Sequence, residues 1–149
     1  SEFDEGAYTG EENAKQIKDF ADYVLIGHSE RRTNFNETEE TLSKKVNLSN
    51  KYQLIPIFFI QRKEDKIPEG IKIIVYEPIF AIGSGTSDSP ENADGIAEAI
   101  KSQERQVLYG GSVTKDNIKD FTSKPNINGV VVGGASLDPE EFIKIIQNA

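Results

Sequence analysis

No cysteine occurs among the 149 residues, which excludes disulfides and thiolate chemistry and leaves the redox compartment undetermined. Long apolar runs are missing as well. None approaches the roughly 20 residues a membrane-spanning helix needs, and no signal-peptide pattern opens the chain. The expectation is a soluble, cytoplasmic protein with no membrane partner. A basic stripe is also lacking: Lys and Arg number 17 against 25 Asp and Glu, a net charge of −8. Binding a phosphate backbone needs clustered cations, so nucleic acid is excluded as a partner. A small anion is not, because backbone N–H groups can hold a phosphate without net positive charge. Histidine is reduced to one residue, His28. Apolar content is low, at 36% with 12 glycines besides, but the length suits one domain with a real core, taken here as residues 1–149.

What is present centres on Ile73-Ile74-Val75-Tyr76-Glu77-Pro78-Ile79-Phe80-Ala81-Ile82-Gly83-Ser84-Gly85. It begins as an unbroken β-branched run, the pattern of a strand buried on both faces in a parallel sheet. The run ends at Glu77, and Pro78 blocks continuation of the ladder. An apolar loop follows, closed by Gly-Ser-Gly. Such a loop makes sense if it closes over something, with Pro78 and the glycines as its ends. Taken alone, the stretch fits a strand-end carboxylate before a turn equally well.

The rest of the chain repeats one theme. Thr9, with Glu12 at capping-box spacing, leads into a helix with Ala14, Ile17, Phe20 and Ala21 on one side. Tyr23–Ile26 is a strand ending in His28-Ser29-Glu30-Arg31-Arg32. A helix over about 37–49 turns Leu42, Val46 and Leu48 inward. Pro56 places the next strand at 57–60, with Leu54 and Ile55 leading in. The 11 residues from Gln61 to Ile71 then contain Pro68 and Gly70, too short for an ordinary crossover helix with two loops. A clipped or missing helix is expected there. Pro90 opens a helix at its first position, with Ala93, Ile96, Ala97 and Ile100 inward. Val107-Leu108-Tyr109 runs into Gly110-Gly111-Ser112, a helix starts at Thr114, and Gly129–Val132 runs into Gly133-Gly134. A final helix from Asp138 turns Phe142, Ile145 and Ile146 inward. Five strands with intervening helices define a parallel α/β protein, and the polar signals sit at the strands' C-terminal ends, where such folds place their sites.

Four strand ends carry chemistry: His28 with Glu30, then Glu77, then Ser112, then Gly133-Gly134. A carboxylate and an imidazole in one pocket can act as base and electrophile in proton transfer beside a carbonyl. The glycines leave backbone N–H groups open to an anion. Each signal also has a plainer reading: His28 as a structural histidine, Gly-Gly as a tight turn, and Arg31-Arg32 with Glu30 as an ion-pair network.

Taken in order, these segments resemble the triosephosphate isomerase family. Tyr23–Arg32 is similar to that family's fourth-strand signature, and Tyr76–Gly85 to its sixth strand and mobile lid. Tyr109–Val113 and Val132–Leu137 are similar to its last two phosphate loops, and Gly6–Glu11 to the loop after its third strand. The resemblance implies a partial (β/α)8 barrel of about five parallel βα units. It implies an isomerase of glycolysis and gluconeogenesis that interconverts dihydroxyacetone phosphate and glyceraldehyde 3-phosphate through an enediolate, with no metal or cofactor. By the same match Glu77 is the base, His28 the neutral electrophile and Glu30 the carboxylate beside them. Ser29 caps the following helix. Backbone N–H groups of Gly83, Ser112, Gly133 and Gly134 hold the substrate phosphate, and residues 78–86 form the lid.

The sequence also departs from the pattern. The family's first strand, with its Asn-x-Lys motif, has no counterpart here, so an isolated chain with little activity is expected. Phe80 stands where the family has Trp, and Gln61-Arg62 replaces the Gly-Glu that ends its fifth strand. Open sheet edges predict a homo-oligomer. The alternative is a non-catalytic barrel fragment that keeps its phosphate loops and self-associates. A different phosphate-binding barrel is disfavoured, because Glu77 and the lid would have no purpose in it.

Overall fold

In a computed structural model that describes residues 1–149, strands and helices alternate as the sequence predicts. β1 (Tyr23–Ile26), β2 (Ile55–Ile60), β3 (Ile73–Tyr76), β4 (Gln106–Gly110) and β5 (Gly129–Val131) form one sheet in chain order. The registers run parallel, as Tyr23 opposite Ile55, Ile73 opposite Gln106 and Leu108 opposite Gly129. The helices are α1 (Ala14–Lys18), α2 (Ser29–Asn34), α3 (Glu39–Lys51), α4 (Pro90–Ile100), α5 (Ile118–Thr122) and α6 (Pro139–Asn148). No helix connects β2 to β3, so the crossover is clipped as its length required. This is a partial α/β barrel.

The chain gathers into two compact units: Ser1–Phe59 with Lys66–Lys72, and Ile60–Asp65 with Ile73–Ala149. In the first, Leu42 and Val46 of α3 are buried with Phe58, Phe59 and Ile71. Each such side chain contributes about 1.5–3 kcal/mol by leaving water. β1 is partly uncovered. Tyr23 and Leu25 are 54% and 55% exposed, as is Ile55 at 39%. Tyr23 and Leu25 alternate onto one face, and Ile55, opposite Tyr23 in the register, shares it. In the second unit Ile74 and Val75 of β3 and Val107 and Tyr109 of β4 are buried, with the Tyr109 and Phe121 rings stacked at 4.0 Å.

Several element ends differ from the sequence reading. α1 is capped by Asn13, not Thr9. Asn13 Oδ1 accepts from the Gln16 N–H and Gln16 Oε1 from the Asn13 N–H, so an Asn/Gln pair makes the capping box instead. Phe20 is 91% exposed, because α1 stops at Lys18 and Phe20 lies beyond the turns that face inward. β2 starts at Ile55, which places Pro56 second, where a missing N–H is tolerated near a strand start. Of the residues expected inward on α6 only Ile145 is buried, while Phe142 and Ile146 are exposed.

Candidate active site

In the first unit, β1 is followed by Gly27, whose φ of +82° favours glycine and lets the chain turn into α2. The helix cap at this end is His28, not Ser29. The His28 side-chain Nδ1 accepts the Glu30 N–H at 3.3 Å, satisfying one of the orphan donors at the helix start. An imidazole that accepts at Nδ1 carries its proton on Nε2 when neutral. The ring stands edge-on to Phe59, 5.0 Å between centroids. Glu30, the second residue of α2, is exposed.

The arginines serve a purpose the sequence did not reveal. Arg32 Nε donates to the Gly27 carbonyl at 2.7 Å and its Nη2 to the Phe59 carbonyl at 2.9 Å, tying the ends of β1 and β2 together and fixing the corner that carries His28. Arg31 instead pairs with Glu37 at 2.5 Å, which also receives Lys45 at 2.5 Å. Burial pushes the Glu37 carboxyl up, but hydrogen bonds from Lys45 and Arg31 outweigh it and hold the group below its ordinary value. Arg31 and Lys45 thus form an ion-pair network centred on Glu37.

In the second unit Glu77 follows β3 directly and is buried, 7% exposed. Its N–H donates to the Ile60 carbonyl at 2.8 Å, so the carboxylate stem is held by the ladder rather than by a loop. A methyl group on Gly110 would lie 3.5 Å from both Glu77 Cβ and Cγ. That is ordinary van der Waals contact, so β4 packs against the carboxylate stem at Gly110, where the methyl group's nearer neighbour would be Val75 Cγ1 at 3.1 Å. Next to it, Gly111 has φ +129°, and a methyl group there would come within 2.8 Å of Ala81 Cβ and 3.1 Å of the Tyr109 hydroxyl. Only glycine meets both demands.

This close approach sets up the link between the loops. Ser112, itself at φ +48°, donates its hydroxyl to the Ala81 carbonyl at 2.7 Å, and Asn117 Nδ2 donates to the Ser112 carbonyl at 3.0 Å. A non-glycine residue in the left-handed region is strained and persists where the surroundings over-determine it. Glu77, Ala81 and Ser112 are thus brought together by short-range packing and hydrogen bonds. Pro78 and Ala81 are buried, Ile79 and Phe80 are exposed, and Gly83 lies in the open span beyond them with φ +61°. Gly133 and Gly134 are exposed at the start of a 3-10 turn, with nothing within 4 Å of where a methyl group would sit. The space beside both glycines is open on the side where a side chain would stand. Asp138 caps α6 by accepting from the Glu140 and Glu141 N–H groups.

A parallel sheet in chain order, a buried carboxylate at the C-terminal end of β3 and glycine-rich loops after β4 and β5 define an α/β-barrel protein with its polar groups at the strands' carboxyl ends. The model of the family described as "Triosephosphate isomerase" matches residues 1–72 and 70–149. The two matched segments meet just before β3, where the connecting helix is missing. The chain is similar to the triosephosphate isomerase of Mesomycoplasma hyopneumoniae strain 7448, 40% identical over 173 positions that cover all of this chain and 72% of that protein. It is also similar to that of Dictyoglomus turgidum, 38% identical with 97% of this chain and 72% of the relative covered, and to that of Lactobacillus acidophilus, 37% identical with 96% and 71% covered. The chain belongs to the triosephosphate isomerase family. The first of these alignments runs to 173 positions against 149 residues, a difference of 24. No helix of the structure is long and apolar enough to cross a membrane.

Proposed function

We propose that the chain carries the proton-transfer site of a triosephosphate isomerase, acting on dihydroxyacetone phosphate and glyceraldehyde 3-phosphate. The observation that carries this reading is Glu77: a buried carboxylate fixed by a backbone bond to Ile60, flanked by Gly110, beside a loop joined to Ser112. The role assignments are the family's own, brought here by matching residues. Glu77 removes a proton from the carbon beside the substrate carbonyl, and the C–H electron pair moves into a C=C bond as the carbonyl oxygen takes the negative charge. His28, holding its proton on Nε2, donates to that oxygen and so lowers the cost of the charge. The hydroxyl proton of the first carbon passes to the former carbonyl oxygen. Glu77 returns its proton to the former carbonyl carbon, the C=C electron pair forming that C–H bond as the carbonyl re-forms at the first carbon; no metal or cofactor is required. Glu30 matches the carboxylate of the family's site pattern. Backbone N–H groups of Gly83, Ser112, Gly133 and Gly134 hold the phosphate, and residues 78–86 close over it, excluding water from the enediolate.

The whole of residues 1–149 is read as a single partial-barrel domain working in the cytoplasm, without nucleic-acid or membrane partners. A second reading is favoured by the exposed face of Tyr23, Leu25 and Ile55: a self-associating chain, non-catalytic by itself, that retains the phosphate loops. Binding of 2-phosphoglycolate, a phosphate-bearing mimic of the enediolate, together with isomerase assays tests the pair. Saturable binding that slows amide exchange over Ile79–Gly85 supports the site. Unchanged exchange at saturating ligand removes both lid and cradle.

A further inference from the structure

The span between β3 and α4 is held at both ends and open between them. At its start Pro78 and Ala81 are buried, and the Ala81 carbonyl takes the Ser112 hydroxyl. From Gly83 to Thr86 the residues are exposed, with Gly83 and Gly85 in the left-handed region and a small Ser84–Thr86 turn. At its far end stands Asp88, a carboxylate only 9% exposed. Its Oδ2 accepts from the Tyr76 hydroxyl at 3.0 Å and from Asn92 Nδ2 at 2.7 Å. Its Oδ1 accepts from the Ser89 N–H at 2.8 Å, and its own N–H donates to the Tyr109 hydroxyl at 2.8 Å.

A buried carboxylate is costly unless donors meet it, and this one meets three while its backbone meets a fourth group. An ionised carboxylate is an acceptor with about four lone-pair sites, so one side chain can gather a phenol, an amide and a backbone N–H at a single point. The phenol's strand position matters. Tyr76 immediately precedes Glu77, and successive strand residues face opposite ways. The strand end that presents Glu77 on one side therefore grips the end of the loop on the other. Burial and then the Asp88 hydrogen bond raise the Tyr76 phenol well above its ordinary value, so it remains a donor throughout the working pH range.

We propose that Asp88 is a positioning residue for the proton-transfer site: its carboxylate fixes the C-terminal end of the 78–86 loop to Tyr76, so that loop and base are held to the same strand end. Its bearing on catalysis rests on reading Glu77 as the base, but the attachment itself can be judged without ligand.

Amide exchange followed by NMR on the intact 149-residue chain tests this, comparing wild type with Asp88→Ala, Asp88→Asn and Tyr76→Phe. In Asp88→Ala, exchange at positions 88, 89 and 92 is expected to rise roughly tenfold or more while Val107–Gly110 of β4 stay within about twofold, a local opening rather than a global one. Asp88→Asn restores part of the protection, since its amide oxygen still accepts. Tyr76→Phe raises exchange at the same positions, by less. With saturating 2-phosphoglycolate, Ile82–Ser87 slow in wild type and slow less in Asp88→Ala. Unchanged exchange at 88 and 89 in Asp88→Ala overturns the proposal. So does a rise shared equally by β4, which would make Asp88 a core residue only, or equal slowing by ligand in both proteins. If 2-phosphoglycolate slows nothing in wild type, the reading of lid and phosphate cradle fails, while the attachment is still decided by the unliganded rates.

Discussion

Single residues set the close approaches on which the site depends. Gly111 is the most constrained, because its positive φ and the 2.8 Å approach to Ala81 act together. Gly111→Ala is expected to destabilise the chain by about 1–3 kcal/mol through strain and overpacking, measured as a lower urea midpoint at unchanged slope. Glu37 makes a prediction of opposite character. Its pKa is depressed below the ordinary 4.5 by Lys45 and Arg31, which outweigh burial. A group depressed on folding stabilises above its unfolded pKa, and that stability is lost as pH falls through the folded value. Urea midpoints should therefore drop as pH falls from about 5 towards about 3, and Glu37→Gln should flatten that dependence. An equal slope in the variant assigns the acid sensitivity to other carboxylates.

At the scale of elements, the caps carry the next test. Asp138 accepts from two N–H groups at the start of α6. Asp138→Ala should cost about 1 kcal/mol of stability, read by thermal or urea melting. Pro90, Asp138 and the β-branched runs made α4, α6, β3 and β4 legible in the sequence, because each depends on local chemistry or an unbroken apolar pattern. The clipped crossover was legible from length alone. Less was visible where tertiary partners decide. Asn13 rather than Thr9 caps α1, because the helix starts at Ala14, with Gln16 reaching back to complete the box. His28 rather than Ser29 caps α2 because its ring, not the hydroxyl, reaches the Glu30 N–H. Glu77 and Ser112 could be named from their strand-end positions. The pairings of Arg32 and Asp88 could not, since their partners, Phe59 and Tyr76, lie 27 and 12 residues away and no local pattern marks the bond.

For the whole molecule, the uncovered apolar face of β1 sets the expectation. Tyr23, Leu25 and Ile55 lie exposed together, and exposed apolar faces favour association. Sedimentation at dilute concentration should show self-association of this chain, and Leu25→Lys should weaken it. A monomer at all concentrations would remove the oligomer from the account. The central claim, that Glu77 moves a proton, is most directly tested by NMR of dihydroxyacetone phosphate in deuterium oxide, comparing the intact chain with Glu77→Gln. Even a weak catalyst exchanges the carbon-bound proton above the buffer rate. The wild-type chain should do so, and Glu77→Gln should lose a factor of about 100–10,000 or fall to the buffer rate. Equal exchange by both proteins, or wild-type exchange no faster than buffer, would contradict it.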